Sequence, residues 1–182
     1  FVSLQNIYKI YPFPFSWMEK YNLKNADCAV AVSDEIRDVL IRKGLGKKKI
    51  SVIPYGVDHL MYRKIKSQKL KSKYGLDSFT IGYMGRFVIE KGIMDLLHAV
   101  SRINNNFNLL LVGSGKLKYK IEAEGRRLGL LEKIRIVDSI PSSQVPYYLN
   151  CMDCLVLPSR TTRKWKEQFG RVLTEAMSCE VP

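Results

Sequence analysis

The sequence is poor in the residues that build disulfide scaffolds, metal centres and membrane spans. It has 4 cysteines, of which only Cys151 and Cys154 form a C-x-x-C spacing. With no second such pair and only two histidines, His59 and His98, a four-ligand zinc site is hard to assemble. The plain alternative is two small apolar residues flanking a strand. Cysteine this sparse argues for a reducing compartment. No apolar stretch approaches the roughly 20 residues of a spanning helix, and the first residues lack the charged-then-apolar order of a signal peptide. A soluble chain is therefore expected. Acidic residues are also scarce: 17 Asp and Glu face 30 Lys and Arg, a formal charge of +13. Such a balance favours anionic partners, whether phosphates, nucleic acid or acidic headgroups, without choosing among them.

What is present is enough apolar residue, 46% of 182, to bury a full core. Strand-like runs recur at Cys28–Val32, Ile50–Ile53, Thr80–Met84, Asn108–Val112, Ile134–Val137 and Cys154–Leu157. Between most of them lie helix-period segments. Ile93, Leu96, Leu97 and Val100 fall at the i, i+3, i+4, i+7 spacing of one buried helical face. Asp34–Arg42 reads as a helix capped by Ser33. The alternation predicts an α/β fold, a Rossmann-like parallel sheet with helices on both faces. Tyr55–Asp58 reads as a linker. Arg63–Lys73, basic and without acid, reads as a solvated helix in preference to a surface facing phosphate. Tyr8, Tyr11, Phe13, Phe15 and Trp17 are interleaved only by Lys9, which points to a packed segment over a nucleic-acid surface. A start at Phe1 and a stop at Val181-Pro182, directly after a helical pattern, read as the ends of a fragment.

In open parallel sheets the ligand lies beyond the carboxyl ends of the strands, so the loops from Gly85, Gly113, Asp138 and Pro158 are the ones to read. Gly82-Tyr83-Met84-Gly85-Arg86, followed by Glu90-Lys91-Gly92, sets two cations beside glycines. Arg86 and Lys91 can offer a fork and a point charge to a pyrophosphate, or they are solvent-facing cations on a tight turn. Gly113-Ser114-Gly115 reads as a strand-to-helix turn whose free amides could cradle an anion. It lacks the third glycine of a dinucleotide fingerprint. Position 133 is Lys, where a nicotinamide enzyme would carry a ribose-binding acid, with Glu132 nearest. In Glu167-Gln168-Phe169-Gly170-Arg171-Val172-Leu173-Thr174-Glu175, two carboxylates flank a glycine turn. A helix starting near Gly170 would offer unpaired amides to a diphosphate, and a carboxylate suits paired hydroxyls of a ribose or hexose. The same residues also suit an ordinary surface helix.

That last segment resembles the signature of the retaining group 1 glycosyltransferases, glycosyltransferase family four, in which two glutamates are separated by seven residues. Val52–Asp58 resembles the interdomain segment of these enzymes, and Gly82–Arg86 with Glu90-Lys91-Gly92 their first donor loop. Leu111–Gly115 also fits. Ile134–Pro141 resembles the base-contacting loop, and Leu157–Ser159 through Glu175-Ala176-Met177 to Val181-Pro182 the donor signature. The match runs in order from about Ala26 to Pro182.

The resemblance implies the two-domain GT-B architecture, with residues 1–54 the tail of an N-terminal acceptor domain and 55–182 a donor-binding domain truncated at its C-terminus. It implies transfer of a sugar from a nucleotide-diphosphate sugar with retention of configuration. Arg86 and Lys91 would stabilise the leaving diphosphate, and Glu167 would hold hydroxyls of the transferred sugar. Gly85, Gly113, Asp138, Ser139, Ile140, Phe169, Gly170, Arg171, Val172 and Glu175 would complete the donor site, with Glu175 on the ribose. No metal or other cofactor is expected, and neither is nucleic acid. The acceptor, a saccharide or a lipid-linked saccharide, would bind through an N-terminal domain largely absent from this stretch. The location implied is cytoplasmic, with peripheral contact at the inner face of the membrane. A non-catalytic nucleotide-sugar-binding or regulatory module is the alternative. One departure stands out: Glu180 occupies the place where many relatives have glycine.

Overall fold

The computed structural model describes residues 11–163 and 165–182. Tyr8 and Lys9 lie outside the described residues. The chain forms two compact units. One contains the chain up to Gly56 together with Thr161–Phe169, the other Val57–Arg160 with Gly170–Pro182.

In the first unit, α1 (Phe15–Asn25) precedes β1 (Ala29–Ala31), α2 (Asp34–Arg42) and β2 (Ile50–Val52). β1 and β2 pair in parallel with Val30 opposite Ser51. The Ser33 hydroxyl accepts from the Ile36 amide and caps α2, which satisfies one of the orphan donors at a helix start. Ile36, Val39 and Leu40 pack from α2 against Ala29, Ala31 and Leu45. α1 adds only Leu23 and, just beyond its end, Ala26. The aromatics before and along α1 do not form the packed segment expected of them: Phe13, Phe15, Trp17 and Tyr21 are exposed, and Trp17 stacks on Tyr21 at 5.7 Å. Their spacing puts no continuous apolar stripe on the helix, so one side chain is all it buries.

The second unit is an open parallel sheet of β3 (Thr80–Met84), β4 (Asn108–Val112), β5 (Ile134–Val137) and β6 (Cys154–Leu155), in the order β5-β4-β3-β6. β4 is buried along its whole length. Because side chains alternate across a strand, it feeds two cores. Leu109 and Leu111 join Ile81 and Tyr83 under α4 (Ile93–Val100) and α5 (Lys118–Arg127). Leu110 and Val112 join Leu155 under α3 (Gln68–Tyr74), α6 (Val145–Leu149) and α7 (Arg171–Ser178). Helices thus cover both faces, as the alternating pattern predicts.

β6 is shorter than expected. Val156 still donates to the Gly82 carbonyl at 2.8 Å, after which the chain turns away toward Pro158. α5 begins later than the glycine turn predicts, at Lys118, because Gly113 and Gly115 are used for close backbone packing instead. At the far end, α7 closes in a Schellman turn, with Val181 donating to Ala176 and Glu180 to Met177. Glu180 takes the left-handed position there, at φ 60°, and among the described residues no other non-glycine residue has positive φ.

Candidate functional site

Three strands of the second unit end at one cavity of about 220 Å³. β3 delivers Met84, Gly85 and Arg86; β4 delivers Val112, Gly113 and Ser114; the chain after β5 delivers Ser139 and Ile140, and Val145 of α6 completes the lining. The wall is apolar at Met84, Val112, Ile140 and Val145 and polar at Arg86, Ser114 and Ser139. Such a mix suits a flat ring with a polar, charged extension.

The loops are fixed by their backbones. Gly113, at φ 148°, lies so near the first loop that a Cβ there would stand 1.9 Å from the Gly85 carbonyl oxygen. The Gly85 amide donates to Val112, Phe87 to Ser114, and Leu117 back to Phe87, at 3.0, 2.8 and 3.0 Å. Beneath them the fully buried Tyr83 donates its hydroxyl to the Arg86 carbonyl at 2.8 Å. The Arg86 main chain is therefore held from the core while its side chain is exposed. Lys91, half-buried, ends a short 3-10 turn over Ile89–Lys91, and Gly92 at φ 65° leads into α4.

On the opposite loop, Asp138 is occupied by Lys118, whose Nζ donates to Oδ1 at 2.6 Å; that hydrogen bond holds the lysine above its ordinary pKa. The Ser114 and Ser139 hydroxyls meet at 2.7 Å. With its carboxylate so engaged, Asp138 has main-chain groups as its natural offer to a ligand. Lys118 and Ser114 are partners that sequence reasoning did not assign.

α7 starts at Gly170, in the left-handed conformation, so the amides of Arg171 and Val172 open its first turn. Glu175 is largely covered, 15% exposed at its side chain, with Arg171 Nη2 3.7 Å away. Its carboxylate lies close enough to the Tyr62 phenol to act on it electrostatically. Burial, and then the Glu175 carboxylate, raise the pKa of that phenol. Tyr62 is held in turn: its amide donates to Asp58 at 2.8 Å and its carbonyl accepts from the Ser178 hydroxyl at 2.5 Å. Nothing in the sequence marks Tyr62 as a partner of a residue more than a hundred positions on.

Glu167 and Phe169 belong to the segment that folds with the first unit. There Lys166 donates to both oxygens of Glu35 at 2.6 and 2.8 Å, Phe169 meets Tyr55 edge-on at 5.4 Å, and the Thr162 amide donates to the Trp165 carbonyl at 2.8 Å. Of the expected site residues, the structure gathers Gly85, Arg86, Gly113, Ser139 and Ile140 around one cavity. Lys91, Asp138, Gly170, Arg171, Val172 and Glu175 lie in the same unit without lining it.

The C-x-x-C pair does not build a metal centre: among the described residues no three His, Cys, Asp or Glu side chains converge. Cys151 is buried at the end of α6, where desolvation pushes its thiol up to about 11, and Cys154 opens β6. Among the described residues no helix is long and apolar enough to cross a membrane.

An open parallel sheet with helices on both faces, and glycine loops gathered at its carboxyl edge, defines an α/β domain of the crevice-binding class. Within that class the chain belongs to the glycosyl transferases group 1, which it matches over residues 65–182; residues 4–59 match Glycosyltransferase Family 4. It is 31% identical over 175 residues to the capsular polysaccharide biosynthesis glycosyltransferase CapM of Staphylococcus aureus, covering 91% of this chain and 44% of that one. In structure it is similar to HepE of Anabaena in complex with UDP and glucose, at TM-score 0.77 and 23% identity, over 90% of this chain and 47% of that one. Sucrose-phosphate synthase from Thermosynechococcus elongatus superposes at TM-score 0.74 with 28% identity, over 92% and 42%. The GT-B glycosyltransferase fold is thereby shared. The chain spans less than half the length of these relatives.

Proposed function

We propose that this chain supplies the donor-binding part of a retaining, metal-independent family-four glycosyltransferase. The observation that carries the proposal is the coincidence of the family match, which spans both the Arg86–Lys91 loop and the Glu175 helix, with the glycine-walled cavity. The second unit is the donor domain and the first is part of the acceptor domain. The donor is a nucleotide-diphosphate sugar; UDP is the first nucleotide to test, because a neighbour of the same fold holds it. The base enters the apolar cavity over Met84, Val112 and Ile140, the ribose meets Glu175, and the sugar hydroxyls meet Glu167.

Chemistry then rests on the leaving group. The bond between the anomeric carbon and the diphosphate oxygen breaks, and Arg86, Lys91 and the amides of Arg171 and Val172 take up the developing charge. A loop whose main chain is fixed from beneath brings its cations near the site with less backbone reorganisation, which favours electrostatic catalysis. The acceptor hydroxyl attacks on the face the diphosphate leaves and passes its proton to the departing phosphate, so configuration is retained. The acceptor is a saccharide or lipid-linked saccharide, and the formal charge of +13 suits work at the anionic inner face of a membrane.

The test is transfer from UDP-glucose to simple glycoside acceptors in the presence of chelator, with the new anomeric proton read by NMR. Turnover giving the same anomeric configuration as the donor supports the proposal. An inverted product, or turnover that returns only on adding a divalent ion, contradicts it.

A further inference from the structure

The chain that leaves β6 crosses the turn that carries Lys91 and holds it at three points. The Arg160 amide donates to the Glu90 carbonyl at 2.8 Å. Gly92 lies so close that a Cβ there would stand 1.9 Å from the Pro158 carbonyl oxygen. The Arg160 guanidinium closes on Asp95, with Nε to Oδ2 at 2.5 Å and Nη2 to Oδ1, a two-pronged pairing in the first turn of α4. Asp95 is itself anchored, its amide donating to the Gly92 carbonyl at 2.9 Å. The residues on either side of Lys91, Glu90 and Gly92, are thus both set against the same three-residue stretch of chain.

Neither Asp95 nor Arg160 follows from the donor motifs. Their side chains are about half exposed, at 45% and 51%. An ion pair this open adds little to global stability, but a guanidinium–carboxylate fork is directional and fixes register between the two segments it joins. The Arg160 hydrogen bond holds the Asp95 carboxyl below its usual range, so the pair is charged on both sides at neutral pH.

We propose that Arg160 and Asp95 are positioning residues that hold the Lys91 turn in place for contact with the donor diphosphate. This rests on the reading of Lys91 as a diphosphate ligand. Its signature is selective: the latch acts on the phosphates through Lys91 and leaves the base and ribose contacts alone.

UDP and uridine are titrated separately into the wild-type protein, Arg160→Gln, Asp95→Asn, the double variant, and Arg160→Gln in a Lys91→Ala background. Each single variant is expected to weaken UDP about fivefold, the scale of a well-made exposed pair, with no further loss in the double variant. Uridine affinity is expected to be unchanged, and Arg160→Gln to have no effect once Lys91 is gone. Arg160→Lys, which keeps the charge without the fork, should fall between wild type and Arg160→Gln. Equal weakening of UDP and uridine, or an Arg160 effect that persists without Lys91, assigns the pair a merely structural role and overturns the proposal. UDP binding that is lost in Lys91→Ala but untouched in both single variants overturns the latch alone. Absence of UDP binding by the wild-type protein overturns the donor-site reading and the latch with it.

Discussion

Glu167 and Glu175 are separated by seven residues in one motif, yet they stand in different structural settings. Glu175 projects from α7, is largely covered, and lies beside the buried Tyr62, which is itself tied to Asp58 and Ser178. Glu167 lies in an irregular segment that folds with the first unit, where its neighbours Lys166 and Phe169 meet Glu35 and Tyr55. One carboxylate stands on a helix and the other on a segment without regular structure. A linear motif therefore does not imply a single rigid element, and its two ends should respond differently to substitution.

The largest effect is expected where the two cations of the first loop meet the leaving group. Arg86→Ala with Lys91→Ala should lower turnover about a thousandfold or more while leaving the thermal midpoint unchanged, since preorganised charge acts on the transition state. Comparable stability loss in the double variant would make those residues part of the scaffold instead. Next comes Gly113→Ala, whose Cβ would collide with the Gly85 carbonyl; denaturant titration should show a loss of about 3 kcal/mol from strain at positive φ and the displaced backbone. Glu175→Gln should weaken UDP and uridine alike by about tenfold, the scale of a lost charge-assisted hydrogen bond, whereas Glu167→Gln should weaken only the sugar-bearing donor. Calorimetry with UDP, uridine and UDP-glucose separates the two, and equal responses from both variants would erase the contrast drawn above. The smallest change is favourable: Glu180→Gly, at the left-handed position ending α7, should add about 1 kcal/mol to stability in the same titration.

Much of the second unit was legible because its signals are local. Apolar runs gave β3, β4 and β5 their observed bounds, and the spacing of Ile93, Leu96, Leu97 and Val100 gave α4 its own. Gly85, Arg86, Gly113, Ser139 and Ile140 could be grouped because each follows a strand's carboxyl end in a parallel sheet. What escaped was set by tertiary contact. The late start of α5 depends on Gly113 and Gly115 packing against another loop. The exposure of Phe13, Phe15 and Trp17 depends on what α1 meets, which aromatic content does not reveal. The pairing of Tyr62 with Glu175 and of Asp95 with Arg160 joins residues far apart in sequence, with no periodicity to announce them. The attachment of Thr161–Phe169 to the first unit left no mark because its anchors, Lys166 and Phe169, look like any basic or aromatic surface residues.

The central claim is that the second unit's loops form a nucleoside diphosphate site that works through its own cations. Calorimetric titration of the protein with UDP, GDP and ADP in chelator, beside the Arg86→Ala, Lys91→Ala double variant, tests it most directly. The account predicts metal-free binding of one of the three nucleotides in preference to the others, and its loss in the double variant. Folded protein that binds none of the three, or a double variant that binds as well as wild type, would contradict it.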